Sequence, residues 1–330
     1  MKFMLRHLTR VLLIVGAMLL AGCGGGDEVT AESWVRPNFY NLTSSESYMD
    51  VGISGDGWFV LQSKDSGQRS YSRFGRLGLD NEGQLIHAGG ALVLGRMSES
   101  ELEAKPISKA PLTMQGRATT RIGIQGNLDS RVSMASDPFD PSKPVSYSSS
   151  TAMEVHSPAS GSLTLYFSKV GDATSEDRWR VHASIDGRVI DARLLLHFKP
   201  WGGPDPAMPK ILRLAVGDVA QPQLIEVDLS AMTQYGSSFS VTDLQQDGYA
   251  PGALIAVVAE GDGRLTRHYS NGQTTFGGRL VLARFTVADR LVRLGESSWL
   301  CGRECAAPMI GAPGSALLGL LMPGTLNEVY

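Results

Sequence analysis

The sequence predicts an all-β chain with two β-domains, the second inserted into the first, behind an N-terminal signal peptide and a flexible tether. Three observations carry that prediction. From Met49 onward the helical period is almost absent, and short apolar runs end in turn dipeptides at regular intervals. Glycine, at 38 of 330 residues, suits a chain of many tight turns. Two breaks in the apolar pattern, across 131–150 and near Ser230, divide the chain beyond the tether.

The first segment carries Lys2, Arg6 and Arg10, then the apolar run from Val11 to Leu20, then small residues ending at Cys23. That is the layout of a secretory signal, residues 1–22. The run is too short for a membrane span, which needs about 20 apolar residues. Leu20-Ala21-Gly22-Cys23 matches the lipobox of bacterial lipoproteins, in which the thiol is acylated and cleavage leaves Cys23 as the first residue. Each buried methylene adds roughly 0.8 kcal/mol, so two or three acyl chains hold a protein on a membrane almost permanently. Gly24 stands where such lipoproteins carry an Asp for inner-membrane retention, which points to the outer membrane. An ordinary signal peptide with an incidental cysteine is the alternative.

Residues 23–46 hold the acylated Cys23 and a tether rich in Gly, Ser, Asp, Glu and Thr, a composition that buries too little apolar surface to order itself. As a coil it would span on the order of 25–30 Å. Trp34, Phe39 and Tyr40 offer a second reading, in which this cluster docks on a neighbouring domain. Removal of residues 1–22 leaves 27 basic against 33 acidic residues, a net charge of −6. A mildly acidic surface argues against nucleic acid and anionic headgroups as partners.

The first β-domain is expected in two halves, 47–130 and 232–314, the inserted one at 131–231, and a C-terminal tail at 315–330. Trp179, Val181, Ala183 and Ile185 alternate with polar residues and run into Asp186-Gly187, a hairpin signal. Leu163, Leu165 and Phe167 alternate in the same way. Leu254 to Ala259 leads to Asp262-Gly263, and His268-Tyr269 to Asn271-Gly272, so two more hairpins are expected there. Pro200 to Pro209, around Trp201, reads as an exposed loop.

Residues 52–95 resemble the signature segment of flagellar rod and hook proteins. The matching pieces are Ile53-Ser54-Gly55-Asp56-Gly57-Trp58-Phe59-Val60, Tyr71-Ser72-Arg73-Phe74-Gly75, the stretch from Asp80 to Leu85 around Gly83, and Gly90 with Leu94-Gly95. Gly126-Asn127-Leu128-Asp129-Ser130 and the run from Phe139 to Tyr147 resemble the entry to the second domain of hook proteins. Thr233-Gln234-Tyr235-Gly236, Gln246-Asp247-Gly248-Tyr249-Ala250-Pro251-Gly252 and Tyr269 to Gln273 resemble its return, and the likeness runs on to Gly314. The resemblance implies a structural protein of the flagellum, with rod, ring or hook proteins as partners. Hook proteins begin and end in long helices that pack as an inner tube. This chain reads instead as a lipoprotein variant lacking them, and Gly324 to Glu328 only loosely resembles the lead into a C-terminal helix. A monomer in isolation is therefore expected.

No catalytic, cofactor or metal pattern emerges. His7, His87, His156, His182, His197 and His268 are scattered at spacings that suit no metal. Ser54 lacks the second glycine of a nucleophile elbow, and no phosphate-binding glycine loop opens a helix. Glu99, Glu101 and Glu103 read as a solvated linker, and Asp137, Asp140 and Asp172 form no calcium loop. Cys301 and Cys305 remain as thiols in a compartment that permits disulfides, and three residues between them allow a Cα separation near 6 Å if the segment turns. A disulfide is expected, against two reduced thiols or half of a zinc site. The expected function is that of a non-enzymatic outer-membrane lipoprotein, facing the periplasm as an accessory of the flagellar hook or basal body. The rival is an envelope lipoprotein using the same domains to bind glycan or protein, and an enzyme ranks third.

Overall fold

Alternation of apolar and polar side chains builds the distal domain. In the strand Ile211–Val216 Leu212, Leu214 and Val216 are buried while the residues between them face out, and Arg121–Asp129 repeats the pattern with Ile122 and Ile124. In this computed structural model, which describes residues 41–156, 160–171, 178–218, 220–286, 290–303 and 305–328, those strands belong to a four-stranded sheet. Its order is Ile211–Val216, Gln223–Tyr235, Arg121–Asp129, Ser240–Gln246, with a parallel pair at its centre. A second sheet is an antiparallel meander of Ser149–Val155, Gly161–Val170, Arg178–Ile185 and Arg188–His197. The two sheets close on one core that includes Trp179, Phe167, Leu165 and Val227. Asp186 and Gly187 take the positive φ values of a tight hairpin, 46° and 79°.

This domain is larger than the expected 131–231. Its strands reach from Arg121 to Gln246, so both boundaries move outward by about a strand. The two compositional breaks have other causes. Residues 131–150 form a packed connection inside the domain, with a cis Asp137–Pro138 bond and a 3-10 turn at Pro144–Ser146. Ser230 sits at a β-bulge: the register between Arg121–Asp129 and Gln223–Tyr235 slips between Gly123 and Gln125, and the buried positions change phase from Leu229 to Met232.

The first domain is built on one branched sheet, flanked by two short strand pairs, and its strand Trp58–Gln62 is buried on both sides. Phe59 and Leu61 face one core with Val51, Ile53 and Leu282, while Trp58 and Val60 face another with Tyr71, Val281 and Phe285. Burial on both faces is why this segment reads as an unbroken apolar run. The hairpins expected after Ala259 and Tyr269 join Gly252–Ala259, Arg264–Tyr269 and Thr274–Leu280.

The expected tail and the end of the expected tether are strands. Leu42–Ser44 pairs with Thr325–Asn327, and Val51–Ser54 with Leu320–Pro323. Both pairings span most of the chain, with Thr43 bonded to Leu326 across 283 positions, and strands of three or four residues carry no readable period. The rest of the tether, with Cys23, Trp34, Phe39 and Tyr40, and the signal segment lie outside the described residues. Among the described residues no helix is long and apolar enough to cross a membrane.

Candidate functional site

The residues singled out in the sequence gather at three places, each a point where the backbone must be held. The first joins two pieces of the signature. Arg73, 4% exposed, donates from Nη1 to the carbonyls of Gly55 (3.0 Å) and Gly57 (2.7 Å) and from Nη2 to that of Ile53 (3.0 Å). One guanidinium thus fixes the turn that Gly55 and Gly57 make at φ of 105° and 136°, a region costly for other residues. Gly75 lies so close to Val51 that a Cβ would collide with its carbonyl oxygen and with the Phe59 ring. His87 closes the cluster: its Nδ1 accepts the Gly89 N–H (3.1 Å) and its Nε2 donates to the Phe74 carbonyl (2.7 Å), a pairing only neutral imidazole makes. Burial pushes its pKa below the ordinary value, and the bond to Phe74 only partly opposes that.

The second place is the neck between the domains, where the outgoing chain at 117–121 crosses the returning chain at 246–249. Asp247 accepts the backbone N–H groups of Thr120 (2.8 Å) and Arg121 (2.9 Å) and faces the Arg117 guanidinium at 3.7 Å. Burial raises its pKa, but the Thr120 hydroxyl, the two amides and Arg117 outweigh that and hold the carboxyl below the ordinary range. Gly248 packs so tightly on Thr119 that any side chain would collide with it. Thr119 also bonds His156 in both directions, its N–H donating to the His156 carbonyl (3.1 Å) and its hydroxyl accepting the His156 N–H (3.0 Å).

The third place is the closure of the described chain. Asn327, 2% exposed, brackets Ile53: its Oδ1 accepts the Ile53 N–H (2.7 Å) and its Nδ2 donates to the Ile53 carbonyl (3.1 Å). On the other face of Trp58–Gln62, Trp299 meets Trp58 edge-on at 5.0 Å, and Cys301 and Cys305 pack against the same small core. The Cα atoms of the two cysteines lie 5.3 Å apart, with the sulfurs at bonding distance.

The remaining candidates serve structure. His182 stacks flat on Phe139 with ring centroids 4.0 Å apart, and burial, aided by Arg180 and Arg193, lowers its pKa. His156 lies at the neck, and His7 lies outside the described residues. Glu99 pairs with Arg279 and Glu101 accepts the Met97 N–H, so these acids shape a loop. Asp137 pairs with Arg180, Asp140 with Lys143, and Asp172 lies outside the described residues. Among the described residues no group of three or more His, Cys, Asp and Glu side chains could hold a metal. The roles of Arg73 and Asp247 were missed in the sequence: each sits inside a quoted signature piece, but the backbone partners of Arg73 lie in another piece and those of Asp247, Thr120 and Arg121, lie in none.

Fold and site together define a two-domain β scaffold, in which the distinctive residues fix turns, a crossing and a closure. Comparison with known families agrees: residues 52–128 match the flagellar hook protein FlgE/F/G D1 domain and residues 127–249 the flagellar basal body protein FlaE D2 domain. The chain belongs to the flagellar hook protein family. It is 27% identical over 300 residues to the flagellar hook protein FlgE of Escherichia coli (strain K12), spanning 86% of this chain and 73% of that one. The flagellar hook protein FlgE of Borreliella burgdorferi is 22% identical over 317 residues, with 86% and 71% covered. The crystal structure of Helicobacter pylori flagellar hook protein FlgE2 shares the fold, with a TM-score of 0.55 at 14% identity over 87% of this chain and 99% of that one.

Proposed function

We propose that this chain is a non-enzymatic, accessory structural lipoprotein of the flagellum, anchored in the outer membrane through acylated Cys23 and facing the periplasm. The observation that carries the reading is the lipobox Leu20-Ala21-Gly22-Cys23 set ahead of a hook-type pair of β-domains. Acyl chains on Cys23 would hold the chain at the membrane, and the segment up to Leu42 would lead to the first domain. The chain's partners would be rod, ring or hook proteins, contacted through the surfaces of the hook-type domains.

Replacing Cys23 by Ser tests the anchor. The expected result is an uncleaved or soluble species without acyl label in membrane fractions. A variant processed and retained in the outer membrane like the parent would remove the lipoprotein reading. The flagellar role is tested separately by deleting the gene, which should weaken motility or alter how hooks and rods are anchored; normal swimming with normal basal bodies would count against it.

A further inference from the structure

Three arginines of the first domain stand in one row. Arg264 is the direct cross-strand partner of Arg279, and Arg279 is the direct partner of Arg96 on the next strand. Like charges placed opposite one another across strands destabilise a sheet unless something neutralises them. Two carboxylates are near, Glu99 and Asp262, and both engage Arg279, each at 3.2 Å. The guanidinium groups of Arg96 and Arg264 pair with no carboxylate among the described residues, the Arg264 backbone N–H alone donating to Asp262; Arg96 Nη2 donates to the Leu102 carbonyl, and its buried Nε has no hydrogen-bond partner. The Arg264 guanidinium lies over the half-exposed Phe276 ring, 5.7 Å from its centroid. The row lines a hollow of about 520 Å³ with Phe276 and Ala312, a size that suits a small ligand.

We propose that this hollow is a binding site for an anionic glycan, a short run of sugar rings bearing carboxylate or phosphate groups. Three arginines and one carboxylate, Glu99, line the hollow, and with Asp262 beside it three positive charges still face two negative ones on a chain that is acidic overall. The strands that carry the three arginines lie roughly 5 Å apart, so their side chains can present positive charge at successive positions along a chain of sugar rings. Planar guanidinium forks pair with carboxylate and phosphate oxygens, and Phe276 supplies an apolar edge for a sugar face. A single acidic side chain of a protein would answer only one position in the row. The site stands independently of the lipid anchor and of any flagellar partner.

Titration calorimetry of the full chain in detergent micelles, at low salt, tests the site with four probes: trigalacturonate, a phosphorylated trisaccharide, neutral maltotriose and hexaglutamate. Binding of either anionic trisaccharide is expected, with the stronger one showing whether carboxylate or phosphate is the native group. Maltotriose should not bind, and added salt should weaken the complex. Arg264→Ser, an exposed change that leaves the strand pairing intact, should reduce affinity at least tenfold, and Arg96→Gln should do the same. No heat with either anionic trisaccharide, equal binding of hexaglutamate or maltotriose, or unchanged affinity in both variants would overturn the proposal.

Discussion

His87 shows how one buried side chain ties stability to pH. Its two hydrogen bonds, to Gly89 N–H and the Phe74 carbonyl, need the neutral ring, and burial lowers its pKa in the fold. The unfolded chain, with an ordinary histidine near 6.5, therefore binds the proton more readily. The contribution of His87 is present above that value and is lost as pH falls below it. His182, also shifted down, acts with the same sign. Urea unfolding should show a lower midpoint at about pH 5.5 than at about pH 7.5, and His87→Gln should shrink that difference without abolishing it. An undiminished difference in the variant would remove His87 from the account. Arg73 and Asn327 act by geometry instead, each holding backbone groups of Ile53. Nothing in the sequence around either one names that partner.

Among the elements, the neck concentrates hydrogen bonds on the few residues of 117–121 and 246–249. Asp247→Ala strips an ionised acceptor from the amides of Thr120 and Arg121, and should cost about 1.5–3 kcal/mol in chemical denaturation. Faster amide exchange at Thr120 and Arg121 should accompany it, and unchanged exchange there would mean the carboxylate holds nothing. Hairpins were legible because Asp186-Gly187, Asp262-Gly263 and Asn271-Gly272 mark them locally. The domain boundaries were not. The Ser and Pro run at 131–150 reads as a linker yet packs within a domain: Ser168 Oγ bonds the Ser146 carbonyl, and Phe139 covers His182. Arg121–Asp129 hides its membership because its apolar alternation stops after Ile124, the next buried positions being Gly126 and Asn127. Cys301 and Cys305 belong to this scale too. We expect a disulfide that stiffens the segment from Trp299 to Pro308, with a chain-entropy contribution of about 2 kcal/mol. Periplasmic protein alkylated without reductant should leave both cysteines unlabelled in mass spectrometry, and two labelled cysteines would show the bond absent.

For the molecule as a whole, each domain has its own core: Trp179 and Phe167 belong to that of the distal domain, Phe59 and Leu61 to one of the two in the first domain and Trp58 and Val60 to the other. Nothing in the described fold needs a second copy to complete any of them. The purified chain in detergent should therefore be monomeric by light scattering corrected for bound detergent, and filaments in microscopy would contradict that expectation. All-β character was plain in the sequence because strand and turn signals are local, whereas the closure by Leu42–Ser44 and Thr325–Asn327 depends on residues far apart in the chain.

That closure makes the fold nearly a ring. Leu42 sits directly across from Asn327, so the two ends of the described chain leave as neighbours, about 5 Å apart in Cα position. A few residues of linker would join them, and the chain could then be reopened elsewhere, for example at the Asp186-Gly187 turn, with every strand pairing retained. Such a body is interchangeable at its base: whatever is spliced to either end is delivered to the same spot, so the two β-domains can be transplanted from one carrier to another without being rebuilt.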